Sequence, residues 1–417
     1  MIERSAVAQR LRRIRTFESF KIHAYRMFFL GMIGQWGSFS MEMVARTYLI
    51  YDITDSAAML GFVSLASAIP MISLSLFGGA VADRLPKKRL IQISQVAMSA
   101  VSLANGTAVS IGYLGPAHPE SWWVLMVGAV IMGTIMAMAM PSRQAIIPEL
   151  VGREQIMNAV SLNTMGMSFF QLVGPAVAGY VIDGFGYAAV FFSMAALNGT
   201  AIIFTSFLPK TVPLQRIKKN VLADVGQGLR YIGRHRLVFM VLVFFVVSIL
   251  LAMPYQMLMP IFARDILQVG PKGQGTLMSV SGVGALAASL TLASIPSKRR
   301  GVTLLMSNVL LGGALVIFAF SVSWPLSLAM MVFVGLGRTG NNTAGAALLQ
   351  SYTEPEYLGR VMSIMMMNFG LSSLGTFFAG ILAERISAPW AIGGLAMILV
   401  IVSSGAFLFL PAMRKLE

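Results

Sequence analysis

FGGAVADRLPKKRLIQIS, running from Phe77 to Ser94, is the stretch whose reading decides the fold. An apolar run rich in small residues ends at Asp83, the cations Arg84, Lys87, Lys88 and Arg89 follow, and a second apolar run starts at Leu90. A short basic loop between two apolar runs is what stays on the cytoplasmic side of a membrane. Within it Gly79 allows close helix approach, Asp83 sits where a helix terminus or a neighbouring arginine can hold it, and the cations can latch onto facing acidic groups.

Outward from this loop the composition is of one kind. The 417 residues are 57% hydrophobic and 11% charged, with mean hydropathy +0.77, far more apolar surface than a soluble core can hide. Barrel strands would show short alternating segments, whereas these runs approach the roughly 20 residues a spanning helix needs. The spans are expected at 27–50, 57–82, 90–113, 122–141, 156–182, 187–208, 237–263, 275–295, 302–322, 326–350, 361–383 and 389–410. The fold class is therefore an all-α membrane protein of twelve transmembrane helices.

The net charge of +15 would suit a nucleic-acid binder, but its distribution does not. Counting from a cytoplasmic N-terminus, one side receives the arginines and lysines of 4–26, 84–89, 143–153, 210–236, 298–300, Arg360, Arg414 and Lys415. Only Arg46, Arg264, Lys272, Arg338 and Arg385 fall elsewhere. Both termini are thus expected inside, with no nucleic-acid partner and the lipid bilayer as surroundings. The first residues carry no apolar h-region of a cleavable signal. Cysteine is absent, and His23, His118 and His235 lie outside or at the edge of spans, so an intramembrane proton carrier must be a carboxylate. No metal, cofactor or catalytic cluster is expected, and the chain is read as no enzyme.

Residues 209–236 form the longest polar stretch, with Pro209, Pro213, a basic run and NVLADVGQGLRYIGRHR at amphipathic spacing. They are expected to lie as a solvated linker on the anionic leaflet, dividing the spans six and six. An internal repeat supports the division: GPAVAGYVID from Gly174 aligns with GTFFAGILAE from Gly375. The expected organisation is a basic segment 1–26, a six-helix bundle 27–208, the linker 209–236, a second bundle 237–411 and a tail 412–417, with a substrate site between pseudo-symmetric bundles.

The Phe77 loop resembles the signature loop of the major facilitator superfamily, in which it forms a cytoplasmic gate; Pro86 stands where that family usually has glycine. ARTYLIYDITDS from Ala45, PSRQAIIPELV from Pro141, GPAVAG from Gly174 and LGRVMS from Leu358 occur in matching order and look like the bacterial subgroup of the enterobactin exporter and related multidrug or secretion-effector permeases. The resemblance implies the major facilitator fold, a bacterial inner membrane and export by proton antiport. Gly174, Pro175 and Gly179 resemble the antiporter motif, a helix kink that packs and moves, or equally an ordinary proline kink. No nucleotide-binding GxxxxGK[ST] loop is present.

Charges at membrane depth are costly, which singles out Glu42, Arg46 and Arg338. Glu42 and Arg46 are four apart and share a helix face, so they can pair locally. Glu42 lies roughly 12 Å and Arg338 roughly 18 Å from the outer ends of their spans, so a Glu42–Arg338 pair across a central cavity is the competing arrangement. Arg338 is flanked by Asn341 and Asn342, and Gln35, Trp36, Asn163, Gln171, Asn308 and Asn368 are further polar or amphipathic positions that either line a cavity or bond between helices. The 31 methionines, including Met132, Met136, Met138, Met140 and Met365–Met367, would suit varied hydrophobic cargo or serve as packing filler. The expectation is a monomeric secondary exporter of a hydrophobic or amphiphilic small molecule, drug- or siderophore-like, coupled to protons. A nutrient importer or facilitator of the same fold and a non-transporting membrane sensor are the alternatives.

Overall fold

The structure, a computed structural model, describes residues 17–209, 221–294, 299–366, 368–414 and 416, of which the side chains of 75–84 and 221–225 and a few isolated ones lie outside the description. Among the described residues there are helices and turns and no strand. The helices are α1 (His23–Thr54), α2 (Ala57–Arg84), α3 (Lys87–Ser110), α4 (Trp122–Leu150), α5 (Ile156–Ser206), α6 (Val221–Arg234), α7 (Arg236–Ala252), α8 (Gly270–Ser294), α9 (Arg300–Ala319), α10 (Trp324–Tyr352), α11 (Pro355–Met366), α12 (Asn368–Ile386) and α13 (Ala388–Phe409). By length and hydropathy, 7 helices among the described residues can cross a membrane, α5 counting as one of them.

Several expected boundaries move, each for a local reason. The boundary expected between 156–182 and 187–208 falls, within the stretch numbered α5, at Gly186 (φ 81, ψ 175), a conformation that glycine adopts without a Cβ penalty. The segment 237–263 stops being regular at Ala252: a tight turn Met253–Gln256, a short Met259–Ile261 piece and a wide turn Phe262–Ile266 follow. Pro254 and Pro260 lack the amide donors a continuous helix would use there. The expected 122–141 runs on to Leu150 through Pro141 and Pro148, and the described residues of 361–383 are helical throughout. Gly174 and Pro175 lie inside α5 with helical dihedrals, both buried.

In the linker, helix α6 turns Tyr231 and Ile232 inward, onto Val238, Val361 and their neighbours, while Leu229 stays exposed. Tyr231 stacks between His235 and Tyr357, at centroid distances of 4.0 and 4.3 Å, and its hydroxyl accepts the Glu354 amide. Its apolar side thus docks on α11.

The pairings repeat between the two halves of the chain: α2 packs with α4 as α8 packs with α10, and α3 with α5 as α9 with α13. The halves meet where α2 runs along α12 and α5 along α8, each pairing the image of the other. Small residues make these crossings possible. A Cβ at Gly179 would overlap the Pro271 carbonyl and one at Gly275 the Pro175 carbonyl, so both positions must be glycine for the backbones to meet. A large apolar core spans both halves, joining Leu49, Ile50 and Phe191 to Phe262 and Phe318.

One face of the bundle carries the basic loops, and contacts there include Lys88 on the carbonyls of Ser206 and Leu208 and Ser19 on Asn158. The opposite, far face carries the α1–α2 turn, the Gly186 bend and the 253–269 segment, where Asp52 meets Tyr187 and Asp55 meets Arg264.

Candidate transport site

On α1, successive contacts account for most of the helix surface. Gly31, Gly34 and Ser38 face the second part of α5 at Thr205, Leu197 and Asn198, and Ser40 lies against Gly174 in its first part. Gln35, Glu42 and Arg46 form a separate stripe, as the spacing requires. Gln35 donates to Met98 Sδ of α3 at 3.5 Å and is buried, not open to a cavity. Trp36 packs edge-on against Phe29 and near Phe170, over Gly166. Phe39 is 40% exposed on the open side of this stripe.

Glu42 Oε1 lies 3.5 Å from Arg46 Nε, with side chains 7% and 11% exposed. The local pair is therefore the one that forms, and among the described residues no ion pair joins Glu42 to Arg338. Arg46 Nε and Nη1 are buried without a hydrogen-bond acceptor, so the guanidinium holds donors in reserve. Such atoms are costly at membrane depth unless something else uses them.

On α10, Gly337 and Gly340 face α9 at Leu311 and Ser307, Gly335 faces α8 at Ser281, and Asn341 and Gly345 face α7 at Ser248 and Phe245. At 100° per residue Arg338 and Asn342 share the sector between the α7 and α8 contacts. Arg338 is half-buried and Asn342 exposed there, whereas Phe333 is exposed on another side of the helix. The neighbouring asparagine behaves differently. Asn341 donates to Ser248 Oγ at 3.1 Å, and Ser248 donates to Asn308 Oδ1 at 2.9 Å, so Asn341 and Asn308 are interhelical struts rather than cavity lining. Gln171 is exposed on α5 and Asn163 half-buried; Asn368 lies outside the residues whose side chains are described. Met132 is buried beside Met98 in a small core, as packing filler.

At the basic face, Gly79, Asp83 and Arg84 lie on α2 but outside the residues whose side chains are described. Lys87 is buried and bonds the Glu149 carboxylate of α4, Lys88 caps the end of α5, and Arg89 is exposed. Lys87 thus reaches an acidic group, Glu149, within the same half.

A far-face cluster was not singled out by sequence. Arg264 Nη2 lies 2.8 Å from Asp55 Oδ1, with Asp52 at 3.7 Å and Asp265 at 3.4 Å, and its guanidinium sits 5.0 Å from the Tyr51 ring centre. Partial burial alone lowers the Arg264 pKa, and Asp265, Asp55 and Asp52 together more than offset it, holding the group above its ordinary value and always charged. Tyr51 donates to Asp265, Tyr187 to Asp52, and Gln274 to Thr47 at 3.0 Å. The signal was present as two acids closing α1, in YDITDS, and a cation on the wrong side of the charge bias.

A model for the transmembrane secretion effector family, MFS_3, matches residues 14–417. The chain belongs to this family of major facilitator transporters. It is 24% identical over 403 residues to the staphyloferrin A transporter of Staphylococcus aureus, covering 93% of this chain and 96% of that one. It is 25% identical over 387 residues to the multidrug efflux pump Tap of Mycolicibacterium fortuitum, covering 90% and 93%. The crystal structure of the nucleoside transporter NupG has the same fold, at a TM-score of 0.71 and 18% identity, covering 95% of this chain and 100% of that one. A major facilitator transporter is a multi-pass membrane protein and not an enzyme, and the small-molecule substrate expected from sequence follows from the family.

Proposed function

We propose that this transporter exports a hydrophobic or amphiphilic small molecule from the cytoplasm by alternating access, in antiport with protons. The basic face is cytoplasmic, both termini lie on that side of a bacterial inner membrane, and the chain crosses it twelve times as a monomer of two six-helix domains, 27–208 and 237–411. The names of its relatives support the direction and the cargo class: one transports a siderophore and one is a drug efflux pump.

The observation that carries the coupling is Glu42. No other acidic residue falls within the apolar segments, and among the described residues Arg46 is its one ion-pair partner. An ionised carboxylate there is held by one guanidinium; a proton on it removes that hold and changes the local charge by one. Arg338 and Asn342 offer donors to a polar group of the cargo, and Trp36 and Phe39 an apolar wall. Cargo enters while Glu42 is ionised, and protonation of Glu42 on the far side accompanies the return.

Purified protein in oriented proteoliposomes, given a panel of fluorescent amphiphiles and an imposed pH gradient, tests this. Gradient-driven movement from the basic face that is lost in Glu42→Gln supports the reading. Movement indifferent to the gradient, or retained in Glu42→Gln, removes proton coupling through Glu42.

A further inference from the structure

We infer that the C-terminal half grips the α1–α2 turn of the N-terminal half at two charged points, and that Arg264 and Glu384 together form the lock that keeps the far face closed. The turn is short, Asp55 and Ser56 between Thr54 and Ala57, and it joins two helix ends that carry opposite partial charges. At the end of α1 the residue that closes the helix, Asp55, is left-handed at φ 51 and donates its amide to the Tyr51 carbonyl, which keeps a second lone pair to offer. Arg264 comes to this negative end: it bonds the Tyr51 carbonyl at 3.4 Å and the Asp55 carboxylate at 2.8 Å. At the start of α2 the first amides are orphaned, and Glu384 comes to that positive end. It accepts the Ala58 amide at 2.8 Å and the Ser56 hydroxyl at 3.1 Å.

Each half-turn is thus completed by a side chain of the other half, cation at the C-terminal end and anion at the N-terminal end. Gly380, one turn before Glu384, lets α12 approach closely enough, since a Cβ there would press on the Ala57 carbonyl at 2.6 Å. Opening the far face strips both helix ends of their partners at once, and water must replace them. The grip is also asymmetric in kind. Arg264 has three carboxylates to choose from, so losing one leaves it held, whereas Ala58 has Glu384 as its acceptor and no intrahelical alternative at its position.

This inference rests on the alternating-access reading but not on the cargo or the coupling ion, and its test needs neither. The chain contains no cysteine, so spin labels at Ala117→Cys and Val322→Cys, both exposed on far-face turns of opposite halves, report their separation without background. Pulsed-dipolar distances are recorded on full-length protein in nanodiscs for the otherwise unchanged chain, Arg264→Ala, Glu384→Gln and the two combined. The expected result is a longer-distance population that grows about tenfold in either single variant, as the loss of a charged hydrogen bond implies, and further in the double. Arg264→Lys, which keeps the charge, is expected to restore much of the short distance. Should Arg264→Ala fail to fold, Glu384→Gln, of nearly the same volume, carries the test alone. Distance distributions that coincide with those of the parent in every folded variant would overturn the lock.

Discussion

Glu42 and Arg46 stand one turn apart on α1 with Oε1 3.5 Å from Nε, both almost wholly removed from solvent, and this local contact takes the place of a bridge from Glu42 to Arg338 across the two halves. A carboxylate paired on its own helix can change protonation without either half having moved first. Arg338 is left on α10 with Asn342 beside it, free of an ion-pair partner among the described residues and able to meet cargo.

The pair makes its own energetic prediction. Arg46→Ala leaves Glu42 buried and unpaired and is expected to cost roughly 3–5 kcal/mol, while Glu42→Gln with Arg46→Gln costs less than the two single changes summed. Denaturation in detergent micelles checks this. Simple additivity would show that the two side chains do not interact.

Adjacent asparagines are expected to part company. Asn341→Ala breaks the Ser248–Asn308 network and should lower stability by about 1–3 kcal/mol with cargo preference unchanged. Asn342→Ala, exposed one position along, should leave stability alone and alter apparent cargo affinity. Melting curves and transport measured on the same preparations separate the two.

Crossing glycines should behave as an interface rather than as hinges. Gly275→Leu drives a side chain into the Pro175 carbonyl across the halves and is expected to abolish transport in protein that still inserts and elutes as a single species. Gly184→Leu, beyond such contacts, should retain most activity. Equal losses at both positions would mean that helix flexibility, not close approach, is what matters.

At the basic face, Lys87→Ala should slow transport and destabilise more than Arg89→Ala, because Lys87 is buried on Glu149 and Arg89 reaches solvent. Lys87→Ala removes a buried side chain and its ion pair to Glu149, whereas Arg89→Ala removes a side chain already in solvent. Rates and melting temperatures of the two variants, compared directly, decide the order.

What could be read in advance followed from strong local signals. Twenty-residue apolar runs, the segregation of cations and the Phe77–Ser94 loop have one physical solution each, and they placed the helices and the family. The site was legible as residue types at depth: Glu42, Arg46 and Arg338 stand out because charge in lipid is costly. Rotation about each helix was not legible. Asn341 and Asn342 look alike in a sequence, and only the seating of Gly337, Gly340 and Gly345 on their neighbours turns one inward and the other out. The break at Gly186 was legible as the gap between the expected spans 156–182 and 187–208, though nothing in the sequence told that it would be a single left-handed residue rather than a longer loop. Arg264 was missed because its partners, Asp52 and Asp55, lie more than two hundred residues away and in the other half.

The claim at the centre of this account is that Glu42 exchanges a proton for cargo, and proton counterflow tests it most directly. Proteoliposomes with a trapped pH indicator, no imposed gradient and a saturating outward-directed gradient of a transported amphiphile from the panel should show protons moving against the cargo, with the movement absent in Glu42→Gln. Cargo flux with no accompanying proton movement, or counterflow undiminished in Glu42→Gln, would contradict it.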